Sequence, residues 1–214
     1  MPLDHDTHRY HQIVFVWIHD GPKFARYGTL VRPIVEPYDG RLDRQVKPVQ
    51  FYADGMEQPD VVNLVSSPNR AEFDAFHRDE RFREIVHLRS ESITMRSASG
   101  PSVRGSLLPG DASKRLYVVE LAAFGPGGEA AYRAYEAAVE PVMAKYGYHV
   151  ERVFRPDRMH DLPFEPDLVK VAFFDTPDGM ARMHTDPEHE RIEKILYPEA
   201  TRASIWVIGR ATAP

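Results

Sequence analysis

The chain has 214 residues, 43% of them hydrophobic, with 27 basic and 32 acidic side chains and a formal net charge of -5. That length supports one large domain or two small ones, and the acidic balance without basic clusters argues against nucleic-acid or acidic-membrane binding. No cysteine is present, which excludes disulfides, thiol nucleophiles, zinc-thiolate centres and iron–sulfur clusters.

The N-terminal stretch MPLDHDTHRYH is acidic and His-rich. It lacks the apolar run of a signal peptide, and no later run reaches the ~18 residues of a membrane span. A soluble cytoplasmic protein is expected. The first element is the apolar run IVFVWI (13–18), which reads as a buried strand. A Gly-Pro turn follows. Phe24, Tyr27, Val31, Ile34 and Tyr38 then recur at spacings of three and four, the pattern of an amphipathic helix. Pro33 falls inside that pattern, where a proline removes a hydrogen bond and kinks the helix. Strands are expected over roughly 42–51 and 61–66, a second helix from near Asn69, and a last strand at SITMRS (92–97). The segment SASGPSVRGSLLPGDAS (97–113) is rich in Gly, Ser and Pro and reads as a linker.

The same plan then repeats. At an offset of 108 residues Tyr27 falls on Tyr135, Pro33 on Pro141, Tyr38 on Tyr146, Arg44 on Arg152 and Pro48 on Pro156. After a one-residue deletion the offset is 107: Pro59 falls on Pro166, Val62 on Val169, His77 on His184, Asp79 on Asp186 and Ile85 on Ile192. So many ordered identities mark an internal duplication. The second half reads as a strand at LYVVELAAF (116–124), a helix carrying Tyr132, Tyr135, Val139, Val142 and Tyr146, and strands near 149–156 and 168–174. A helix from near Asp178 and a strand at SIWVIG (204–209) complete it. The predicted units are repeat 1 at 9–97, a linker at 98–113 and repeat 2 at 114–212.

Each repeat has the order βαββαβ, the ferredoxin-like α+β plan with both helices on one face of an antiparallel sheet. The other face should be polar if it meets water. The runs VVNLV and LVKVAFF are apolar at nearly every position, so that face must also be buried. Packing the two repeats sheet against sheet within one chain, as a pseudo-twofold barrel, achieves this without a partner, although a homodimer of such barrels stays open.

The pattern His-x-Asp occurs in both repeats, as FHRDERF (76–82) and MHTDPEH (183–189). Asp186-Pro187-Glu188 is a helix restart: Asp caps, Pro suits the first helical position, and Glu complements the helix dipole. Asp79-Glu80 does the same in repeat 1. As a metal site the pattern is poor, because His184 and His189 are five apart with a proline between them. No metal is expected, and His77 and His184 are expected to hydrogen-bond near the helix break.

Other side chains can carry chemistry. Arg44 and Arg152 lie on strands and read either as structural ion pairs or as anion anchors. Lys170, within VKVAFF, either points into the fold with a pKa lowered by burial or snorkels to the rim. Glu120 is a carboxylate in an apolar strand and needs a partner, for which Lys170 is available. Met180 and Met183 replace Phe73 and Phe76. An adaptable pocket is therefore expected in repeat 2, with the matching space in repeat 1 filled by the two Phe rings.

The segments PVMAKYGY (141–148), ERVFRP (151–156), DLVKVAFF (167–174) and DPEH (186–189) resemble the dimeric α+β-barrel superfamily. Repeat 1 keeps PIVEPYDG, DRQVKP and DVVNLV, but has Glu80 where DPEH has proline. That superfamily includes antibiotic-biosynthesis monooxygenases, muconolactone isomerases, ethyl-tert-butyl-ether-degradation-type proteins and haem-degrading monooxygenases. The nearest resemblance is to a small family in it without an assigned activity. The resemblance implies a cofactor-independent small-molecule enzyme of the monooxygenase or isomerase type, acting on an apolar aromatic or polyketide-like compound. Arg152 would anchor an oxyanion, and His184 or Lys170 would move a proton. A non-catalytic binding or stress protein is the alternative, and a haem protein with His184 as axial ligand is a third reading.

Overall fold

A computed structural model describes residues 9–105, 108 and 111–212. Repeat 1 runs β1 (Tyr10–Ile18), α1 (Gly21–Val35), β2 (Arg41–Tyr52), β3 (Val61–Ser67), α2 (Arg70–Arg78), α3 (Glu80–Ser90) and β4 (Ile93–Gly105). Repeat 2 runs β5 (Leu116–Phe124), α4 (Gly128–Ala144), β6 (Tyr148–Phe154), a short β7 (Arg158–His160), β8 (Leu168–Phe174), α5 (Pro177–Met183), α6 (Pro187–Ala200) and β9 (Thr201–Thr212).

The strand order is β1-β3-β2-β9-β5-β8-β6-β4-β7, and β1 also pairs with β4. The second pairing closes eight strands into an antiparallel barrel, with β7 attached outside the circuit. Within each repeat the spatial order is ferredoxin-like: β4-β1-β3-β2, and β9-β5-β8-β6. The two seams between repeats, β2 with β9 and β4 with β6, are hydrogen-bonded ladders. The barrel is thus completed inside one chain, as the apolar strands demanded. Its interior is a single core to which both repeats contribute, including Phe15, Leu64, Tyr117, Val171 and Ile205.

The linker expectation needs correction. Residues 98–105 continue β4, which pairs with β1, β6 and β7. Small residues suit them to that place: a Cβ on Gly100 would lie 1.8 Å from the Arg155 carbonyl oxygen, so only glycine lets the two backbones approach. Local composition read as flexibility; close strand packing is the actual cause.

Each second helix breaks in two where the His-x-Asp pattern falls. Asp79 accepts from the Arg81 amide and Asp186 from the Glu188 amide, capping α3 and α6. Each cap also receives a tyrosine hydroxyl from the end of the preceding long helix, Tyr38 to Asp79 at 2.9 Å and Tyr146 to Asp186 at 2.8 Å. Left-handed residues at equivalent positions, Asp39 (φ 47°) and Gly147 (φ 77°), turn the chain from those helix ends into β2 and β6.

The long helices differ in one respect that matters for function. Helix α4 buries Tyr132, Tyr135, Val139 and Val142 against its sheet. Helix α1, with the equivalent Phe24, Tyr27, Val31 and Ile34, buries only Ile34. It stands off the strands and leaves space beneath it.

Candidate functional site

The space under α1 is a cavity of about 820 Å³ between the outer face of the repeat 1 sheet and its helices. Val14, Val16, Asn63 and Ile93 form part of its floor, and Tyr27, Phe73, Phe76 and His77 part of its helical wall. The expectation that Phe73 and Phe76 fill this space is overturned: they line it. Their rings pack instead within the helical layer, Phe73 on Tyr10 and His77, Phe76 on Phe82 and Tyr38.

Three substitutions between repeats open the cavity. In repeat 2 Glu120 and Lys170 face each other across β5 and β8, and Glu136 reaches Lys170 from α4. In repeat 1 the same register positions hold Val14 and Asn63, and Gly28 stands where α4 has Glu136. Without the ionic post between helix and sheet, the described side chains leave a cavity in the layer.

His77 is held in one tautomer. Its Nδ1 lies 2.8 Å from the Phe73 carbonyl oxygen, which can only accept, so Nδ1 carries the proton and Nε2 keeps its lone pair. Burial lowers its pKa, assisted by the nearby Arg89 guanidinium, so the ring is neutral near pH 7. Arg89 also lies beside Tyr27, whose hydroxyl is raised in pKa by burial while the guanidinium acts to lower it. A neutral imidazole with a free nitrogen, a guanidinium and a phenol thus meet at one apolar cavity.

A second cavity of about 390 Å³ lies in repeat 2 under α4, α5 and α6. Met180, Met183, His184, His189, Glu193 and Trp206 are among its lining residues. The Tyr135 hydroxyl donates to Glu193, and His189 Nε2 is 3.7 Å from the same carboxylate.

Solved structures with this architecture cover almost the whole chain. An anthrone oxidase-like protein superposes with a TM-score of 0.59 at 11% identity, over 97% of this chain and 92% of its own. A protein assigned as a monooxygenase from Lactobacillus acidophilus gives 0.55 at 7% identity, over 95% and 94%. A chlorite dismutase variant from Candidatus Nitrospira defluvii gives 0.63 at 9% identity, over 99% and 93%. The fold is the dimeric α+β barrel. No family model and no curated protein matches the sequence, so the likeness is one of fold, shared with monooxygenase-type proteins.

In this dimeric α+β barrel, the three residues singled out from sequence occupy three different places. Arg152 is inside the barrel and fully buried. Its Nη1 is 2.9 Å from His11 Nε2 and 3.7 Å from Asp43 Oδ2. Its repeat mate Arg44 donates to Tyr117 at 2.9 Å and pairs with Glu151 at 2.8 Å. Bulges at Leu42/Arg44 and Val150/Arg152 turn an acidic and a basic residue inward from each strand. Each arginine is thereby paired with the carboxylate of the other repeat, which is the ion-pair reading of these residues.

Lys170 lies on the opposite face, between sheet and α4. It meets Glu120 at 2.7 Å, with Tyr132 and Glu136 each at 3.4 Å. Burial is the largest single influence and acts to lower its pKa, but Glu120, Tyr148, Tyr132 and Glu136 together outweigh it and hold the ammonium well above its usual value. The pairing with Glu120 is as expected; the lowered pKa is not. His184 closes α5 and lines the smaller cavity, its ring edge-on to His189 at 5.8 Å. That lining has Glu193 and neither Lys nor Arg, so it does not suit a haem, whose two propionates need cations. Among the described residues no group of three or more His, Asp or Glu side chains could hold a metal ion.

His77, Tyr27 and Arg89 were not singled out as the site. The duplication pointed at His77 through its mate His184. The contrast between Lys170 and Asn63 carried the rest of the signal: loss of a buried charge can mean loss of a filler.

Proposed function

We propose that the chain is a small-molecule enzyme of the monooxygenase or isomerase type, and that its substrate binds in the repeat 1 cavity. The observation that carries this reading is His77, a neutral imidazole with an unprotonated Nε2, which lines an apolar cavity together with Arg89 and Tyr27. The volume and apolar walls suit an aromatic or polyketide-like compound. His77 Nε2 takes a proton from a carbon or oxygen acidified by a neighbouring carbonyl, and Arg89 and Tyr27 hold the resulting oxyanion. In the oxidising version dioxygen from solution is the oxidant: a CH₂ group plus O₂ becomes C=O plus water. In the isomerising version the proton returns at another carbon. The roles assigned from sequence to His184, Arg152 and Lys170 pass to His77, Arg89 and Tyr27.

Oxygen uptake with a hydroxylated anthrone tests the proposal. Turnover by the wild type should fall about 10²–10⁴-fold in His77→Gln with unchanged thermal unfolding. Equal rates in the two proteins would remove His77 as the base.

A second reading is favoured by the same histidine. An imidazole tied through Nδ1–H to a carbonyl keeps Nε2 for ligation, so His77 would hold a haem and Arg32 and Arg89 would meet its propionates. A bound haem would supply oxygen activation by iron. A Soret band in the purified protein, lost in His77→Ala, would favour it over the cofactor-independent reading.

A further inference from the structure

We propose that the ligand of the repeat 1 cavity is an apolar acid, its anionic group held by Arg89. This rests on the reading of that cavity as the working site, and adds the charge of what enters it.

The two cavities occupy equivalent layers yet have opposite ionic character. Among the described residues the repeat 1 cavity is lined by Arg32, Arg41 and Arg89 and by no Asp or Glu. The repeat 2 cavity is lined by Glu193 and by no Arg or Lys. This happens in a chain with more acidic than basic residues, so the acid-free lining is not a reflection of composition. Arg41 lies 2.9 Å from Asp39, a carboxylate it shares with Arg9. Arg32 is exposed at the mouth. Arg89 is half-buried in the last turn of α3, with its guanidinium over the Phe82 ring at 5.6 Å and beside Tyr27 and His77. Among the described residues it makes no salt bridge, and its contacts are the Phe82 ring and the Tyr27 hydroxyl. A guanidinium in apolar surroundings is stabilised most by a carboxylate or comparable anion, which takes two parallel hydrogen bonds. The apolar floor and aromatic wall then set the rest of the ligand: a hydrophobic body with an acidic group at the Arg89 end. Nε2 of His77 accepts rather than donates, so it does not compete for that anion and remains available to a proton elsewhere on the ligand.

Two fluorescent probes that differ by one charged group test this. 1-Anilinonaphthalene-8-sulfonate carries a sulfonate on the arene of N-phenyl-1-naphthylamine, which is neutral. The wild type should bind the anionic probe at least about tenfold more tightly, the equivalent of one charge-assisted contact, with an affinity that falls as salt rises. Arg89→Met should bring the ratio to about one, Arg89→Lys should keep part of it, and Glu193→Gln in the other cavity should leave it unchanged. Equal affinities in the wild type, or a preference that survives Arg89→Met in a folded protein, would overturn the proposal while leaving the cavity as a binding site. Failure of both probes to bind would instead overturn the cavity reading, and this inference with it. Competition then identifies the source of the acid. Displacement by 2-naphthoate alone points to a free organic acid. Displacement by haemin, with a Soret band that His77→Ala removes, points to haem propionates.

Discussion

A buried histidine and a buried lysine show how single residues in this barrel answer to their surroundings. His11 sits where repeat 2 has Tyr117, and it accepts from Arg152 as Tyr117 accepts from Arg44. Burial, with Arg152 and Arg9 nearby, lowers its pKa from 6.5 to about 3. In the unfolded chain it protonates near its ordinary value. Between those two values the unfolded state binds more protons, so stability rises with pH and is lost on acidification. His77 and His189, also lowered by burial, act in the same direction. Going from pH 6.5 to 5 should therefore cost roughly 2 kcal/mol from His11 alone, at ~1.4 kcal/mol per pH unit. Urea unfolding at both values should show this loss, and His11→Gln should remove most of it. An unchanged slope in that variant would mean that His11 is not the titrating group. Lys170 makes the complementary case. Its partner Glu120 is fully buried, and the pair, joined by Glu136 of α4, ties the helix to the sheet. Sequence placed the two residues together because each is a lone charge in an apolar strand and needs a partner. The direction of the lysine's pKa depended on a distance of 2.7 Å, which no periodicity contains.

At the scale of elements, legibility followed how local the cause was. The helix restarts at Asp79 and Asp186 were readable, because capping involves a side chain and an amide two or three residues on. The tyrosines that latch those caps were visible as repeat mates, but their contact was not, since Tyr146 and Asp186 are joined only when α4 ends against the start of α6. The stand-off of α1 was not readable at all. Its apolar spacing matches that of α4, and burial differs because of what lies on the facing strands and at Gly28. The latch has a measurable consequence. Asp186→Ala removes both the cap of α6 and the acceptor for Tyr146, and should lower the denaturant midpoint clearly. Tyr146→Phe removes only the latch and should lower the midpoint by less than Asp186→Ala does. Denaturant midpoints of the two single variants and the double variant would show the double close to Asp186→Ala alone. Full additivity would mean that the tyrosine and the aspartate act separately, contrary to the contact.

For the molecule as a whole, the closed barrel explains why neither repeat was free to simplify. The interior core draws on both halves, and each half supplies a carboxylate to the arginine of the other. Removing one half would expose Phe15, Val62 and Leu64, or Tyr117, Val171 and Phe173, together with a row of unpaired seam groups on β2 and β4 or on β6 and β9. Monomers rarely tolerate an apolar face and open edges of that kind. The duplication offers each half a substitute partner, because the opposite seam has the same geometry in a second copy of itself. Residues 1–105 or 106–214 expressed alone should therefore form homodimers or aggregate. When co-expressed they should associate one to one, because only that pairing restores the arrangement in which Arg152 finds His11 and Asp43 while Arg44 finds Tyr117 and Glu151. Light scattering and cooperative unfolding of each half, alone and mixed, would measure this. A soluble monomeric half that unfolds cooperatively would show that the outer helices and one sheet suffice, and that the shared core is not what holds the repeats together.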